Sequence, residues 1–74
     1  MEFYKEYVEK RFYNDNGFGY RAITATDQLN EETKINQQWR SEIKGYVIDI
    51  NGCSHILVRW AGLSSTEFTE VHYE

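Results

Sequence analysis

The sequence predicts a small, mainly β protein in which an N-terminal amphipathic helix over residues 2–12 precedes an antiparallel barrel over residues 18–74. Three observations support this prediction. Several segments rich in aromatic and β-branched residues are separated by short turns. The two most strongly patterned segments, GYVIDI and HILVRWAG, surround an Asn51-Gly52 turn. With 74 residues, the chain has the length of one domain.

The N-terminal segment EFYKEYVEKRF has the spacing of an amphipathic helix. Helical geometry would place its rings on one face and most of its charges on the other. Glu6 and Lys10 would form a pair one turn apart in the favourable order. The aromatic stripe would supply the core, or else a dimer surface, because a short barrel cannot bury so many rings alone. The predicted dimer contacts are Phe3, Tyr4 and Tyr7.

Two further strands are predicted on either side of the central hairpin. The composition of NDNG, residues 14–17, is typical of a turn, and residues 18–26 then have the aromatic and β-branched content of a strand. After the hairpin, AGLSS provides another turn, and residues 66–73 form a final short strand.

The segment between the first strand and the hairpin is open to two interpretations. Asn30 could cap a helix over residues 31–44 that has Glu31 and Glu32 in its first turn. The fold would then be α+β, an antiparallel sheet with a second helix. Alternatively, the segment is a long loop that returns through Trp39 into the next strand.

The register of the hairpin follows from burial. A two-residue Asn51-Gly52 loop would leave both faces of the sheet partly apolar, whereas a loop of residues 50–52 would pair Asp49 with Cys53. Since a slip of one residue turns every side chain to the other face, burial favours the longer loop. Gly52 then takes the left-handed position of a G1 bulge. One face of this hairpin carries Tyr46, Ile48, Ile56, Val58 and Trp60.

The sequence contains no arrangement typical of an enzyme or a cofactor site. Cys53 is the single cysteine, so no disulfide forms within the chain, and no Cys/His cluster has the spacing of zinc ligands. Cys53 and His55 would point the same way from a strand, but no enclosed pocket or oxyanion donor accompanies them. No glycine-rich phosphate loop is present. We therefore expect no catalysis, no cofactor and no metal.

The charge balance bears on the choice of partner. Eight Lys and Arg residues against 12 Asp and Glu residues give a net charge of −4. An acidic chain argues against direct nucleic-acid binding and in favour of a partner with a basic surface. No apolar run reaches the roughly 18 residues of a membrane span, and the unpaired cysteine agrees with a reducing compartment. We expect a cytoplasmic protein with no membrane insertion, and its short chain without cross-links predicts a homodimer.

The acidic residues are grouped in short rows in the first segment, after the first strand and along the final strand. Carboxylates about 5.4 Å apart on a helix, or about 6.6 Å apart on a strand, are spaced somewhat like successive phosphates. Such rows can occupy a groove built for DNA, or they can be solvated surface that maintains solubility. Lys5, Lys10 and Lys34 interrupt them. The predicted partner contacts are Glu31, Glu32, Glu67 and Glu70, followed by Glu6 and Glu9.

The order of the strand segments, from YRAITAT through GYVIDI and HILVRWAG to TEFTEVHYE, resembles SH3-like and Tudor-like barrels over residues 18–74. This resemblance implies a protein-interaction module that binds a peptide or methylated ligand in an aromatic cage. The walls would come from Tyr20, Tyr46, Trp60 and Phe68. In the favoured hairpin register Tyr46 and Trp60 face the core, which favours a structural role for them.

In size, acidity and Asn-, Tyr- and Ile-rich usage, the whole chain also resembles the small phage-encoded inhibitors of the bacterial DNA-polymerase sliding clamp, of the staphylococcal phage type. That resemblance implies an acidic dimer seated in the basic central channel of the host clamp. There it would prevent DNA from threading through the ring and so stop processive replication. Electrostatic complementarity would mainly speed and orient the association.

Overall fold

The computed structural model describes residues 1–63 and 65–73. Its elements are, in chain order, β1 (Glu2–Val8), β2 (Lys10–Tyr13), β3 (Tyr20–Ile23), α1 (Ala25–Ile35), β4 (Arg40–Ile48) and β5 (Ser54–Ala61). β1, β5 and β4 form an antiparallel sheet with β5 in the centre, and β2 and β3 pair in a separate antiparallel hairpin. The protein is therefore mainly β and antiparallel, as predicted. The strands described remain open and do not close into a barrel.

The N-terminal segment 2–12 forms strands, so the predicted amphipathic helix is wrong. β1 pairs with β5 over its whole length. Phe3, Lys5 and Tyr7 turn inward, and the residues between them are exposed. Aromatic and β-branched residues suit a half-buried strand better than a helix. The alternation of inward and outward residues that is typical of a strand was not recognised in the sequence, because the rings of Tyr4 and Tyr7, three residues apart, also match the spacing of a helix.

Helix α1 begins earlier in the chain than predicted. Thr24 is its N-cap: the Thr24 hydroxyl accepts a hydrogen bond from the Asp27 backbone N–H at 3.0 Å, and the Asp27 carboxylate accepts one from the Thr24 N–H at 3.1 Å. This capping box fixes the start of the helix. The strand predicted over residues 18–26 is therefore shorter in the structure, where β3 ends at Ile23. Of the predicted helix over residues 31–44, only residues 31–35 are helical.

Beyond α1 the chain turns through the buried Trp39 into β4, which begins at Arg40. The chain does return through Trp39, but the interpretation as a long loop is wrong, because residues 27–35 belong to α1 and residues 40–44 belong to β4. The predicted second helix is wrong here because residues 40–48 have a partner strand, β5, which satisfies their backbone groups along one side.

The β4–β5 hairpin has the predicted register. The Asp49 backbone N–H donates to the carbonyl oxygen of Cys53 at 2.9 Å, which leaves residues 50–52 as the loop. Gly52 has a φ of 80°, as the left-handed position of a G1 bulge requires. A second bulge, at Lys44, was not predicted.

The core lies between the β1–β5 part of the sheet and α1. Its buried apolar residues are Tyr7, Ala25, Leu29, Trp39, Ile56, Val58 and Trp60. Residues 66–73, the C-terminal segment, contain no strand, so the predicted final strand is wrong. Phe68 nevertheless packs on the core, with its ring centroid 4.8 Å from that of Trp60. The C-terminal segment bonds to side chains of the helix region in place of a neighbouring strand.

Candidate partner-binding surface

Helix α1 presents two exposed carboxylates on one side, because Asp27 and Glu31 are four residues apart. Asp27 is held in place by the capping box. Glu31 is 51% exposed, and its ion pair with Lys34 is loose, with 3.5 Å between Nζ and Oε1. The solvent side of the helix therefore carries negative charge that its own cation only partly offsets.

Glu32 has a different environment from its neighbour. Its side chain is 2% exposed and accepts hydrogen bonds from Lys5 Nζ at 2.7 and 2.8 Å and from the Val71 N–H at 3.0 Å. The Tyr7 hydroxyl donates a short hydrogen bond to the same carboxylate and accepts one from Trp60 Nε1 at 2.9 Å. Burial and the bond to Glu32 raise the pKa of Tyr7 well above its usual range. We call these five residues the Glu32 network. The structure thus places this predicted partner contact inside the protein.

The C-terminal segment is fixed to the helix region by polar contacts. Asn36 Nδ2 donates to the Thr69 carbonyl oxygen and the Thr69 N–H donates to Asn36 Oδ1, each at 2.8 Å. Trp39 Nε1 donates to the carbonyl oxygen of Glu67 at 3.3 Å. Because the backbone is held in this way, the exposed side chains of Glu67 and Glu70 project from an ordered support.

The carboxylates of α1 lie close to the end of the C-terminal segment. Burial raises the pKa of Tyr73, and the negative charges of Glu31, Glu32 and Asp27 raise it further. Nearby charges produce such a shift because they disfavour a second negative group. The helix and the C-terminal segment are joined by the hydrogen bonds of Asn36 and Glu32, and each carries two exposed carboxylates. We call these four residues the helix–tail acidic face: Asp27, Glu31, Glu67 and Glu70.

Two other predicted contacts lie away from this face. Glu6 is exposed on the opposite side of the sheet, with its Oε2 3.9 Å from Nδ1 of His55. Glu9 has a side chain that is 9% exposed and accepts hydrogen bonds from Arg11 Nε at 2.9 Å and from the Ser54 hydroxyl at 3.1 Å. The bond from Arg11 is the main cause that holds the pKa of Glu9 below its ordinary value of 4.5. Glu9 connects the junction of β1 and β2 to the start of β5.

Of the three predicted dimer contacts, Tyr4 is the most exposed, at 59%. Tyr7 is 2% exposed and belongs to the Glu32 network. Phe3 packs edge-to-face against Trp39 and Phe68, with ring centroids 5.5 and 5.0 Å apart. The rings of Phe3 and Tyr7 thus serve the core of their own chain, and Tyr4 is the member of the set that another copy could reach.

Cys53 and His55, the pair considered for nucleophilic chemistry, lie at the closed end of the hairpin. His55 Nε2 is 2.8 Å from Asp49 Oδ2, and this hydrogen bond is the main cause that lowers the pKa of Asp49. The Cys53 N–H donates to the other Asp49 oxygen at 3.0 Å. These contacts stabilise the loop. Within residues 1–63 and 65–73, no group of three His, Cys, Asp or Glu side chains is placed to hold a metal ion.

The aromatic residues considered for a ligand cage are used in different places. Trp60 is 0% exposed and lies under Phe68, so its ring offers no open face. Tyr20 lies on the β2–β3 hairpin, with its ring centroid 5.4 Å from that of Tyr13. Tyr46 is 56% exposed on β4.

No family model, curated protein or solved structure matches this chain. In the part of the chain that the structure describes, no helix is both long and apolar enough to cross a membrane.

Proposed function

We propose that this protein is a non-catalytic, phage-type inhibitor that binds the DNA-polymerase sliding clamp of a bacterial host. It occupies the basic DNA channel of the clamp as an acidic DNA mimic and so blocks replication. It acts in the host cytoplasm as a homodimer. The observation that carries the proposal is the helix–tail acidic face, whose carboxylates project from a backbone fixed to the core. The SH3-like barrel remains a prediction on which the proposal does not depend.

The balance of charge on this face supports the proposal. Lys5 is adjacent, but it forms its closest ion pair with the buried Glu32, at 2.7 Å, and a longer one with Glu70, at 3.2 Å. Lys34 offsets part of the charge of Glu31. The face therefore keeps an excess of negative charge, which a channel lined by Lys and Arg would attract.

The rigid support of the carboxylates also favours mimicry. Binding orders mobile side chains and loops at a cost in free energy, and a surface that is already ordered avoids part of that cost. Asn36 and Glu32 both hold the C-terminal segment through its backbone, so Glu67 and Glu70 start from a defined position. Charge complementarity of this kind acts mainly on the rate of association and on orientation.

The test is the binding of purified sliding clamp to the intact protein, measured by biolayer interferometry over a series of salt concentrations. We expect binding that duplex DNA competes away and that weakens as salt screens the charges. Glu31→Gln and Glu70→Gln should each slow association by about twofold to tenfold. The matched control is Asp15→Asn, which removes one exposed charge from the turn of the β2–β3 hairpin.

Two results would overturn the proposal. The first is absence of clamp binding by the wild-type protein at low salt. The second is binding that neither salt nor duplex DNA affects. If Asp15→Asn slows association as much as Glu31→Gln does, the association rate depends only on the net charge of the protein. The helix–tail acidic face is then not the contact surface.

A further inference from the structure

β4 is an edge strand that leaves much apolar surface in solvent. Tyr46, Val47 and Ile48 are 56%, 59% and 54% exposed. Ile50, just beyond the strand, is 99% exposed. Edge strands of this composition pair readily with another strand, and natural proteins usually protect them. Here Lys44 and its bulge protect the first half of the strand, and the second half carries no such device.

Tyr46 and Ile48 continue the core face of the sheet. Tyr46 lies opposite Ile56, and Ile48 lies opposite Ser54. Both partners on β5 are buried, with 2% and 4% of their surface exposed. Directly opposite residues share a face. The two exposed side chains therefore extend the existing core beyond the part of the sheet that α1 covers.

The backbone of this half of β4 is oriented for pairing. The Asp49 N–H donates to Cys53 on β5, so the backbone groups of Asp49, and by alternation those of Val47, point toward β5. The backbone groups of Tyr46 and Ile48 consequently point away from β5. An added strand would bond to these groups.

The Lys44 bulge sets the limit of the usable edge, because the register of β4 against β5 shifts there. We call residues 45–49, on the far side of the bulge, the β4 edge segment. It is complementary to itself. When two copies run antiparallel about Val47, Tyr46 of each copy lies opposite Ile48 of the other, and Gly45 lies opposite Asp49. No like charges face one another.

We propose that two copies of this chain pair through the β4 edge segment, with a two-fold axis at Val47, and that their sheets join into one continuous antiparallel sheet. The occupant is a second copy because the segment complements itself and because so short a chain, with no disulfide, gains stability from a partner subunit. The inference locates the homodimer of the proposed function and rests on that proposal for its biological role. A two-fold axis perpendicular to the sheet puts both α1 helices on the same side.

The first test is sedimentation equilibrium of the wild-type protein and of Val47→Lys over a wide range of concentrations. The interface is small, so we expect a wild-type dissociation constant on the order of micromolar. Val47→Lys opposes two ammonium groups at the two-fold axis and should raise that constant at least about tenfold. The matched control, Leu57→Lys, places the same charge on the same face of the central strand, at a residue that is 41% exposed, and should remain dimeric.

A wild-type protein that stays monomeric at every concentration would overturn the inference, as would a Val47→Lys variant that dimerises like the wild type. Circular dichroism verifies the fold of each variant. None of these samples contains clamp, so failure of the dimer is distinguished from failure of the proposed function.

A cross-linking test remains decisive if Val47→Lys does not fold. Two copies of Val47 would form a non-hydrogen-bonded pair with Cα atoms about 4.5 Å apart, a distance that a disulfide can span. In a Cys53→Ser background, Val47→Cys should give a covalent dimer on mild oxidation. Tyr4→Cys, at an exposed residue of β1, is the control. Cross-linking at residue 47 that is absent, or no greater than at residue 4, would refute the pairing.

Discussion

Replacing Glu32 by Gln removes the buried charge on which the Glu32 network depends and leaves the size of the side chain unchanged. The carboxylate accepts from the Lys5 ammonium, the Tyr7 hydroxyl and the Val71 N–H. An amide has one acceptor oxygen and turns an NH₂ donor toward the other position. At least one donor of the network would then face another donor, and Lys5 would lose its counter-charge at 2.7 Å.

The expected loss of stability is large for a chain of this size. Removing one partner of a buried ion pair costs about 3–5 kcal/mol. Lys5 is 22% exposed and keeps Glu70 at 3.2 Å, which reduces the cost. We therefore expect Glu32→Gln to lower the free energy of unfolding by about 2–4 kcal/mol. A 74-residue domain has a total of roughly 4–11 kcal/mol at typical values per residue.

Equilibrium unfolding in urea, followed by the fluorescence of the buried Trp39 and Trp60, measures the loss. The matched control is Glu31→Gln, which makes the same chemical change at the adjacent residue. Glu31 is 51% exposed and its ion pair is long, so its replacement should change the free energy of unfolding by less than about 0.5 kcal/mol. Equal shifts of the two midpoints would refute the assignment of the network as a structural element.

Two further predictions concern packing and pH. Gly62→Ala should lower the free energy of unfolding by about 1–3 kcal/mol, because its new Cβ would lie 2.6 Å from Trp39 Cδ2. The control is Gly45→Ala, whose new Cβ would make its nearest contact at 3.9 Å. Equal losses of stability for the two variants in urea unfolding would contradict the packing argument. The hydrogen bond from His55 lowers the pKa of Asp49 below its ordinary value of 3.8. The ionised Asp49 therefore contributes stability that is fully present above pH 3.8 and is lost as the pH falls through the lower pKa of the folded state. Asp49→Asn should flatten this acid dependence of the urea midpoint, and a dependence as steep as in the wild type would rule out the linkage.

The β4–β5 hairpin could be predicted because local features determine it. The alternation of apolar residues selects a register, and Gly52 supplies the left-handed residue that the loop needs. Both features lie within a few residues of each other. The Lys44 bulge could not be predicted, because it arises from the pairing of β4 with β5 and no residue pattern in the sequence indicates it.

The N-terminal segment could not be predicted in the same way, because its structure depends on residues distant in sequence. β1 pairs with β5, whose partner residues lie 47 to 59 residues further along the chain. Lys5 is an inward-facing cation, and it fits there because Glu32, 27 residues away, is buried beside it. Local spacing alone favoured a helix, in which Lys5 would have faced solvent. Contacts between distant residues decided the outcome.

The candidate site was predicted in composition but not in detail. Glu31 and Glu32 are adjacent and were assigned the same role, yet the first is exposed and the second is buried. The phase of the helix separates them. The buried residues of α1 are Ala25, Gln28, Leu29 and Glu32, a stripe spaced three and four residues apart. The predicted helix, capped at Asn30, lacked the first three of these residues, so the buried side of the helix could not be recognised.

The buried network also connects folding to the proposed contact surface. Glu32 holds the C-terminal segment at Val71, and Lys5 reaches from Glu32 to Glu70. Loss of the Glu32 charge should therefore loosen the support of Glu70, although Glu32 itself reaches no partner. Under conditions in which both variants are folded, Glu31→Gln should slow clamp association and reduce its dependence on salt. Glu32→Gln should mainly speed dissociation, since the carboxylates remain present but are less firmly held.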